Sequence, residues 1–240
     1  FTYQYDDEGN QIRKTARNLG TYTDYVYDFR NRMLAAVQRT PTNIEVDRSE
    51  YIYNALNQRI RASEAGQASH FGDDGLNPSL KMTAAGSVVS RRLYTRVIDG
   101  ILGDEVNAEV RWHLTDQLGT LRKLISNAAA PINHYTFDSF GRLLRETSSG
   151  VLNDLLFAAS QFAPSTGLGY FRTRYYSADN GRFNRQDSIE PFDYVYVDNM
   201  PNSKIDPLGL DGFFSYFRTG AYSADAFATG NAEVGHFVAQ

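Results

Sequence analysis

Apolar and polar positions alternate along most of this chain, and one recurring frame punctuates the alternation. The frame reads aromatic-x-aromatic-Asp/Asn, then two residues, then Gly or Asn, then apolar positions again. It occurs as YQYDDEGNQIRKT from Tyr3, YVYDFRNRMLAAV from Tyr25, YIYNALNQRIRAS from Tyr51 and YTFDSFGRLLRET from Tyr135. A looser copy, HLTDQLGTLRKLIS, carries Asp116 and Gly119. Period-2 alternation predicts strands. Asp6, Asp28, Asn54 and Asp138 are placed to start turns, because a short Asx side chain bonds backbone two residues on. Three positions later come Gly9, Asn31, Asn57 and Gly141, residue types that tolerate the left-handed conformation such a turn needs. Ile12, Met33, Leu34, Ile60, Leu143 and Leu144 then resume as returning strands. Each unit predicts a β-hairpin. A lone hairpin is marginal in water, so the units must pair side by side.

The pattern fades between Ala62 and Val89, where Gly, Ser, Ala and Asp dominate, and a loop-rich insertion is expected there. Strands resume in VVSRRLYTRVIDGILGDE and AEVRWHLTDQ around a turn at Asp99–Gly100. Trp112, the single Trp, falls on one of them as a core or strand-face residue. VLNDLLFAASQF from Val151 fits a short helix or a strand pair. The last 30 residues lack the frame, yet FRTGAYSAD from Phe217 repeats FRTRYYSAD from Phe171 at seven of nine positions. This organisation divides the chain into a hairpin array (1–150, insertion about 62–89), a second unit (151–210) and a C-terminal extension (211–240). The extension reads as the start of a variable region or as a tail packed on the sheet. The chain starts at Phe1 in mid-pattern, which reads as a piece of something longer.

Composition sharpens this picture. The chain of 240 residues holds 16 Tyr, 15 Phe and 19 Gly, a mix that favours pleated surfaces and tight turns. The net charge of −4 and the lack of a basic run give no electrostatic footprint for nucleic acid. No apolar run approaches a membrane-spanning length. Cysteine is absent, which excludes disulfides and thiolate metal sites. His70, His113, His134 and His236 are scattered without ligand spacing. Ser160 and Ser165 lack a nucleophile-elbow context. The GDDG run from Gly72 fits an exposed loop better than a cation site, so no metal or cofactor is expected. The repeated Asp residues fit turn formation better than calcium binding.

The aromatic-Asp frame resembles the YD repeat of Rhs proteins, teneurins and the C subunits of insecticidal toxin complexes. HLTDQLGTLRKLISNAAAPINHYTFDSFGRLL resembles the repeat that leads into the Rhs-associated core. TGLGYFRTRYYSADNGRFNRQDSIEPFDYVYVDNMPNSKIDPLGL, residues 166–210, resembles that core. The resemblance implies an all-β fold: antiparallel YD-repeat β-hairpins in a curved sheet or shell segment, with an Rhs-associated core. It further implies a shell that encloses or presents a C-terminal polypeptide, often a toxin. Two other expectations come with it: an aspartyl-protease-like core that cuts its own chain after Leu210, or a surface scaffold for adhesion or carbohydrate binding. The implied catalytic carboxylates are Asp187 and Asp206, with Arg182 or Arg185 to orient them and Leu210–Asp211 as the scissile bond. Two adjacent carboxylates do not both ionise, so the pair can act as acid and base. The same residues also read as turn caps. Where the family motif has Asp-Pro-x-Gly, this chain has Asp187-Ser188-Ile189-Glu190. The implied partners are the chain's own C-terminal segment or toxin cargo, and delivery proteins or surface glycans; nucleic acid is not expected to bind the scaffold. The implied location is secreted or cell surface.

Overall fold

A computed structural model describes residues 1–151, 153–189 and 194–210. Fourteen strands form one antiparallel sheet in strict chain order. They are β1 (Thr2–Tyr5), β2 (Gln11–Thr15), β3 (Tyr22–Tyr27), β4 (Met33–Arg39), β5 (Glu45–Tyr53), β6 (Arg59–Glu64) and β7 (Gln67–Asp74). After these come β8 (Asn77–Thr83), β9 (Val88–Tyr94), β10 (Ile101–Val106), β11 (Glu109–Thr115), β12 (Leu121–Ser126), β13 (Pro131–Phe137) and β14 (Leu143–Glu146). A second sheet holds β15 (Gln161–Ala163), β16 (Leu168–Phe171), β17 (Arg174–Ser177) and β18 (Arg182–Phe183), again in chain order.

The YD frame forms the turns at one end of the large sheet. In each copy the Asp or Asn closes a three-residue loop: Asp28 N–H donates to Arg32 O at 3.0 Å and Asn31 N–H to Asp28 O at 2.9 Å. The Asp28 carboxylate then accepts from the amides of Arg30 and Arg32 at 2.9 and 3.0 Å. Asn31 and Asn57 take φ of 58° and 64°, the left-handed values the frame predicted. A register shift precedes each such turn, between Val26 and Tyr27 for example, as a type I turn with a bulge requires.

The loop-rich insertion at 62–89 is not a loop. It is the end of β6, all of β7 and β8, and the start of β9. Most of its small polar residues are strand residues, Gly72 lies within β7, and Gly66, Gly75 and Gly86 are turn residues. Ala65 and Gly66 both have positive φ in a two-residue hairpin loop between Glu64 and Gln67, the requirement of a I′ turn. Gly86 closes the loop between β8 and β9, where the Thr83 hydroxyl accepts from Ser87 N–H. From Asn153 the described chain makes a turn at Phe157–Ala159, with positive φ at Ala158 and Ala159, followed by β15. Trp112 is a strand-face residue, 37% exposed.

Laid flat, fourteen strands would span about 60 Å at ~4.8 Å per gap. Both ends of this sheet nonetheless touch the small second sheet. Near β2, Gln11 N–H donates to Asn184 O at 2.8 Å and Tyr194 OH to Gly9 O at 2.9 Å. Near β14, Tyr176 OH donates to Phe140 O at 2.8 Å. The large sheet is therefore curved around residues 151–210. All eight residues of β16 and β17 are buried, because both faces of the small sheet are covered. One face packs Leu168, Tyr170 and Tyr175 against Tyr25, Met33, Tyr51 and Phe71 of the shell. The other packs Phe171, Tyr176 and Phe183 with Phe157, Tyr196 and Val197. Arg59 of β6 reaches across the first interface. It donates to Gln161 Oε1 at 2.8 Å, and its guanidinium lies 4.1 Å from the Tyr170 ring centroid.

Candidate functional site: a buried aspartate pair on one arginine

The β16–β17 hairpin positions the site. Its turn residues are Arg172, with φ 57°, and Thr173. β17 then begins with Arg174, whose guanidinium carbon lies 3.7 Å from the Phe183 ring centroid. Arg174 is the first residue of a strand with no exposed position, so its charge needs partners inside the protein. Its Nη2 meets Asp187 Oδ2 at 2.7 Å and Asp206 Oδ2 at 3.3 Å. The side chains of Asp187 and Asp206 are 1% and 0% exposed.

The structure thus brings Asp187 and Asp206 to one guanidinium, but that guanidinium is not Arg182. Arg182 is half-buried on β18, bridged to Val195, with its charge near Tyr5. The reason is the strand alternation: Arg182 pairs with Ser177 and lies on that face of the small sheet, whereas Arg174 shares the opposite face with Tyr176 and Phe183. Arg185 lies closer, with its Nε donating to Thr173 O at 3.2 Å and its charge felt by Arg174 and Asp187.

The missing Pro and Gly after Asp187 do not displace it. Asp187 Oδ1 accepts from Ile189 N–H at 2.7 Å, so an Asx turn holds the side chain while Oδ2 faces Arg174. Asp206 is held the same way on the other side. Its Oδ1 accepts from Leu210 N–H at 2.9 Å, and Gly209, three residues on, has φ 71°. This is the hydrogen-bond frame of the YD turns, Asp-x-x-Gly with the fourth residue's amide on the carboxylate, here turned inward.

Burial pushes the Asp206 carboxyl above the ordinary carboxylate range. The Leu210 amide and Arg174 oppose that shift, and the Asp187 charge adds to it. The pair is therefore differentiated. Asp187 makes the shorter ion pair, and Asp206 is the carboxyl inclined to keep a proton.

The segment after Asp206 is gripped residue by residue. Arg172 donates to Pro207 O while pairing with Asp99 at 2.6 Å. Thr173 Oγ1 lies 2.7 Å from both Leu208 O and Gly209 O. Arg174 Nε donates to Gly209 O at 2.5 Å. Leu208 and Leu210 edge a cavity of about 200 Å³. Asp211, on the far side of the expected scissile bond, lies outside the described residues, as does the rest of the extension. Sequence reasoning missed Arg172, Thr173 and Arg174. The available signal was a charged residue opening RYYS inside an aromatic run.

Among known proteins, the probable deoxyribonuclease RhsB of Dickeya dadantii is 27% identical over 230 residues, covering 88% of this chain and 15% of its own length. This chain is similar to Rhs-type YD-repeat proteins. The tRNA3(Ser)-specific nuclease WapA of Bacillus spizizenii is 26% identical over 219 residues, 87% of this chain and 7% of WapA. The chain therefore spans a small fraction of the curated relatives it matches. The crystal structure of TcdB2-TccC3 superposes with a TM-score of 0.66 at 15% identity, covering 86% of this chain and 11% of that one, and bears out the all-β curved sheet. No protein-family model matches.

Proposed function

We propose that this YD-repeat chain forms part of a shell that encloses or presents a C-terminal polypeptide, and that its core releases that polypeptide by cutting its own chain after Leu210. The observation that carries this reading is the meeting of Asp187, Asp206 and Arg174 beside a segment, Pro207 to Leu210, that donors already hold.

In this reading Asp187 takes a proton from a water molecule, whose oxygen attacks the Leu210 carbonyl carbon. Asp206 starts protonated and polarises the carbonyl oxygen, and a proton passes to the nitrogen of Asp211 as the C–N bond breaks. One water is consumed, leaving a carboxylate on Leu210 and an amine on Asp211. Arg174 holds both carboxylates in register and anchors the Gly209 carbonyl. Thr173 and Arg172 hold the scissile segment in place beside the carboxylates for that attack. The polypeptide released is toxin-type cargo by kinship with longer nucleases, and secretion belongs to the same kinship. The surface-adhesion alternative rests on resemblance alone.

Intact mass of the full chain at neutral pH tests the reading. The wild type should yield a fragment ending at Leu210, and Asp206→Asn should remain whole. Wild type that stays whole for days, or Asp206→Asn that is cut at the same bond, would sink it. Acid cleavage at Asp206–Pro207 gives a different mass and is separable.

A further inference from the structure

On the shell side of Arg174 lies a small cavity of about 70 Å³ lined by five arginines and three asparagines, with tyrosine and threonine hydroxyls and no carboxylate among the lining residues. The turns after β3 and β5 supply Arg30, Asn31, Arg32 and Asn57; the core supplies Arg174 and Arg185. The acceptors in this lining are already used. Asn31 Oδ1 accepts from Asn10 Nδ2 at 3.0 Å, and Asn57 Oδ1 accepts from Arg32 Nη1 at 3.1 Å. Each amide therefore keeps its NH₂ as the group left to offer.

The cations are unequally matched. Arg32 pairs with Asp28 at 2.6 Å, and Arg174 pairs with Asp187 and Asp206. Arg30 and Arg185 have no carboxylate within ion-pair distance among the described residues. Arg185 gives one N–H to Thr173 O, while Arg30, exposed on the rim, lies against the Phe29 ring. Burial and the neighbouring Arg174 charge both weaken the hold of Arg185 on its proton. A half-buried guanidinium that repels its neighbour is stabilised by an anion that bonds its free N–H groups.

We propose that this pocket is a binding site for a small oxyanion, held by Arg185 and Arg30 with the Asn31 and Asn57 amides completing the donor set. A phosphate solute and a carboxylate carried on a polypeptide share that chemistry. The pocket adjoins the aspartate pair through Arg174, but neither aspartate lines it, and its occupancy does not depend on whether the chain cuts itself.

Isothermal titration of the full chain at low ionic strength, with inorganic phosphate in one arm and acetate in the other, tests this. Saturable one-to-one binding is expected. Arg185→Gln and Arg30→Gln should each weaken it by about fivefold or more, the loss of one charge-assisted contact. Tighter phosphate binding identifies a phosphate-type ligand; acetate that binds as well or better identifies a carboxylate. Arg30 is exposed, so its variant tests the site even where Arg185→Gln unfolds. The proposal is overturned by an absence of saturable binding in both arms, or by Arg30→Gln binding as wild type does.

Discussion

Replacing Arg174 with Met removes the one cation among the described residues that pairs with both buried carboxylates. Met fits the aromatic surroundings of Phe183 without new polar atoms, but it also removes the Arg174 Nε–Gly209 O bond, so the charge is isolated only by comparing two backgrounds. Breaking a buried pair by deleting one partner costs about 3–5 kcal/mol, because the surviving charge stays buried without compensation. Two carboxylates are orphaned here, but their costs do not add. Asp206 is already pushed toward its neutral form by burial, so the penalty falls mainly on Asp187. The expected loss is therefore that of one pair, about 3–5 kcal/mol, or roughly 6–20 °C in Tm for a chain of this size. Urea denaturation of the full chain at pH 7 measures it. The same substitution made in an Asp187→Asn/Asp206→Asn background should cost less than half as much, since no carboxylate then needs the guanidinium. An Arg174→Met loss below about 1 kcal/mol, or an equal loss in both backgrounds, would refute the claim that these three side chains act as one network.

Three other outcomes follow from the same geometry. Gly209→Ala should undock the segment and abolish cleavage, because its Cβ would lie 2.5 Å from Phe171 O at a φ of 71°; normal cleavage by the variant would count against the docked conformation. Asp206 has a raised carboxyl pKa in the folded chain, so its contribution is full below about pH 4 and is lost as pH rises through the folded value. Asp206→Asn should accordingly gain stability relative to wild type as pH increases from 4 to 8, and parallel urea curves at the two pH values would contradict this. Asp154 behaves oppositely: burial raises its carboxyl pKa, but Arg92 at 2.5 Å and Lys81 at 3.0 Å outweigh burial and hold it well below the usual range. Asp154→Asn should cost about 2–3 kcal/mol at neutral pH, and the deficit should shrink as pH falls below about 4; a pH-independent deficit in denaturant melts would show the ion pairs to be incidental.

Much of the large sheet was legible because its turns are written in Asx chemistry. Asp28 and Asp138 are visible as turn residues without any tertiary information. The turns at the opposite end were harder. There Thr40, Thr83 and Ser126 hold the same kind of loop with a hydroxyl, a weaker signal than a carboxylate. The glycines of the supposed insertion were read as looseness when Gly66, Gly75 and Gly86 are hairpin corners. At the site, Asp187 and Asp206 could be named from the resemblance, but their common partner could not. Arg174 is chosen by the packing of β17 between two apolar layers, a tertiary fact, whereas Arg182 merely lies near Asp187 in sequence. The tail's echo of that strand carries Gly220 and Ala221 where the core has Arg174 and Tyr175. It therefore lacks the residue that organises the pair.

The central claim is that the chain's own segment sits in its own aspartate site. The rate at which the fragment ending at Leu210 accumulates, followed by intact mass over about a hundredfold range of protein concentration, tests this directly, since hydrolysis of a chain in its own site is first order in protein. The account predicts one first-order rate constant at every dilution, absent in both Asp187→Asn and Asp206→Asn. An apparent first-order rate constant that falls in proportion to concentration, or a fragment that forms equally in the two variants, would contradict it.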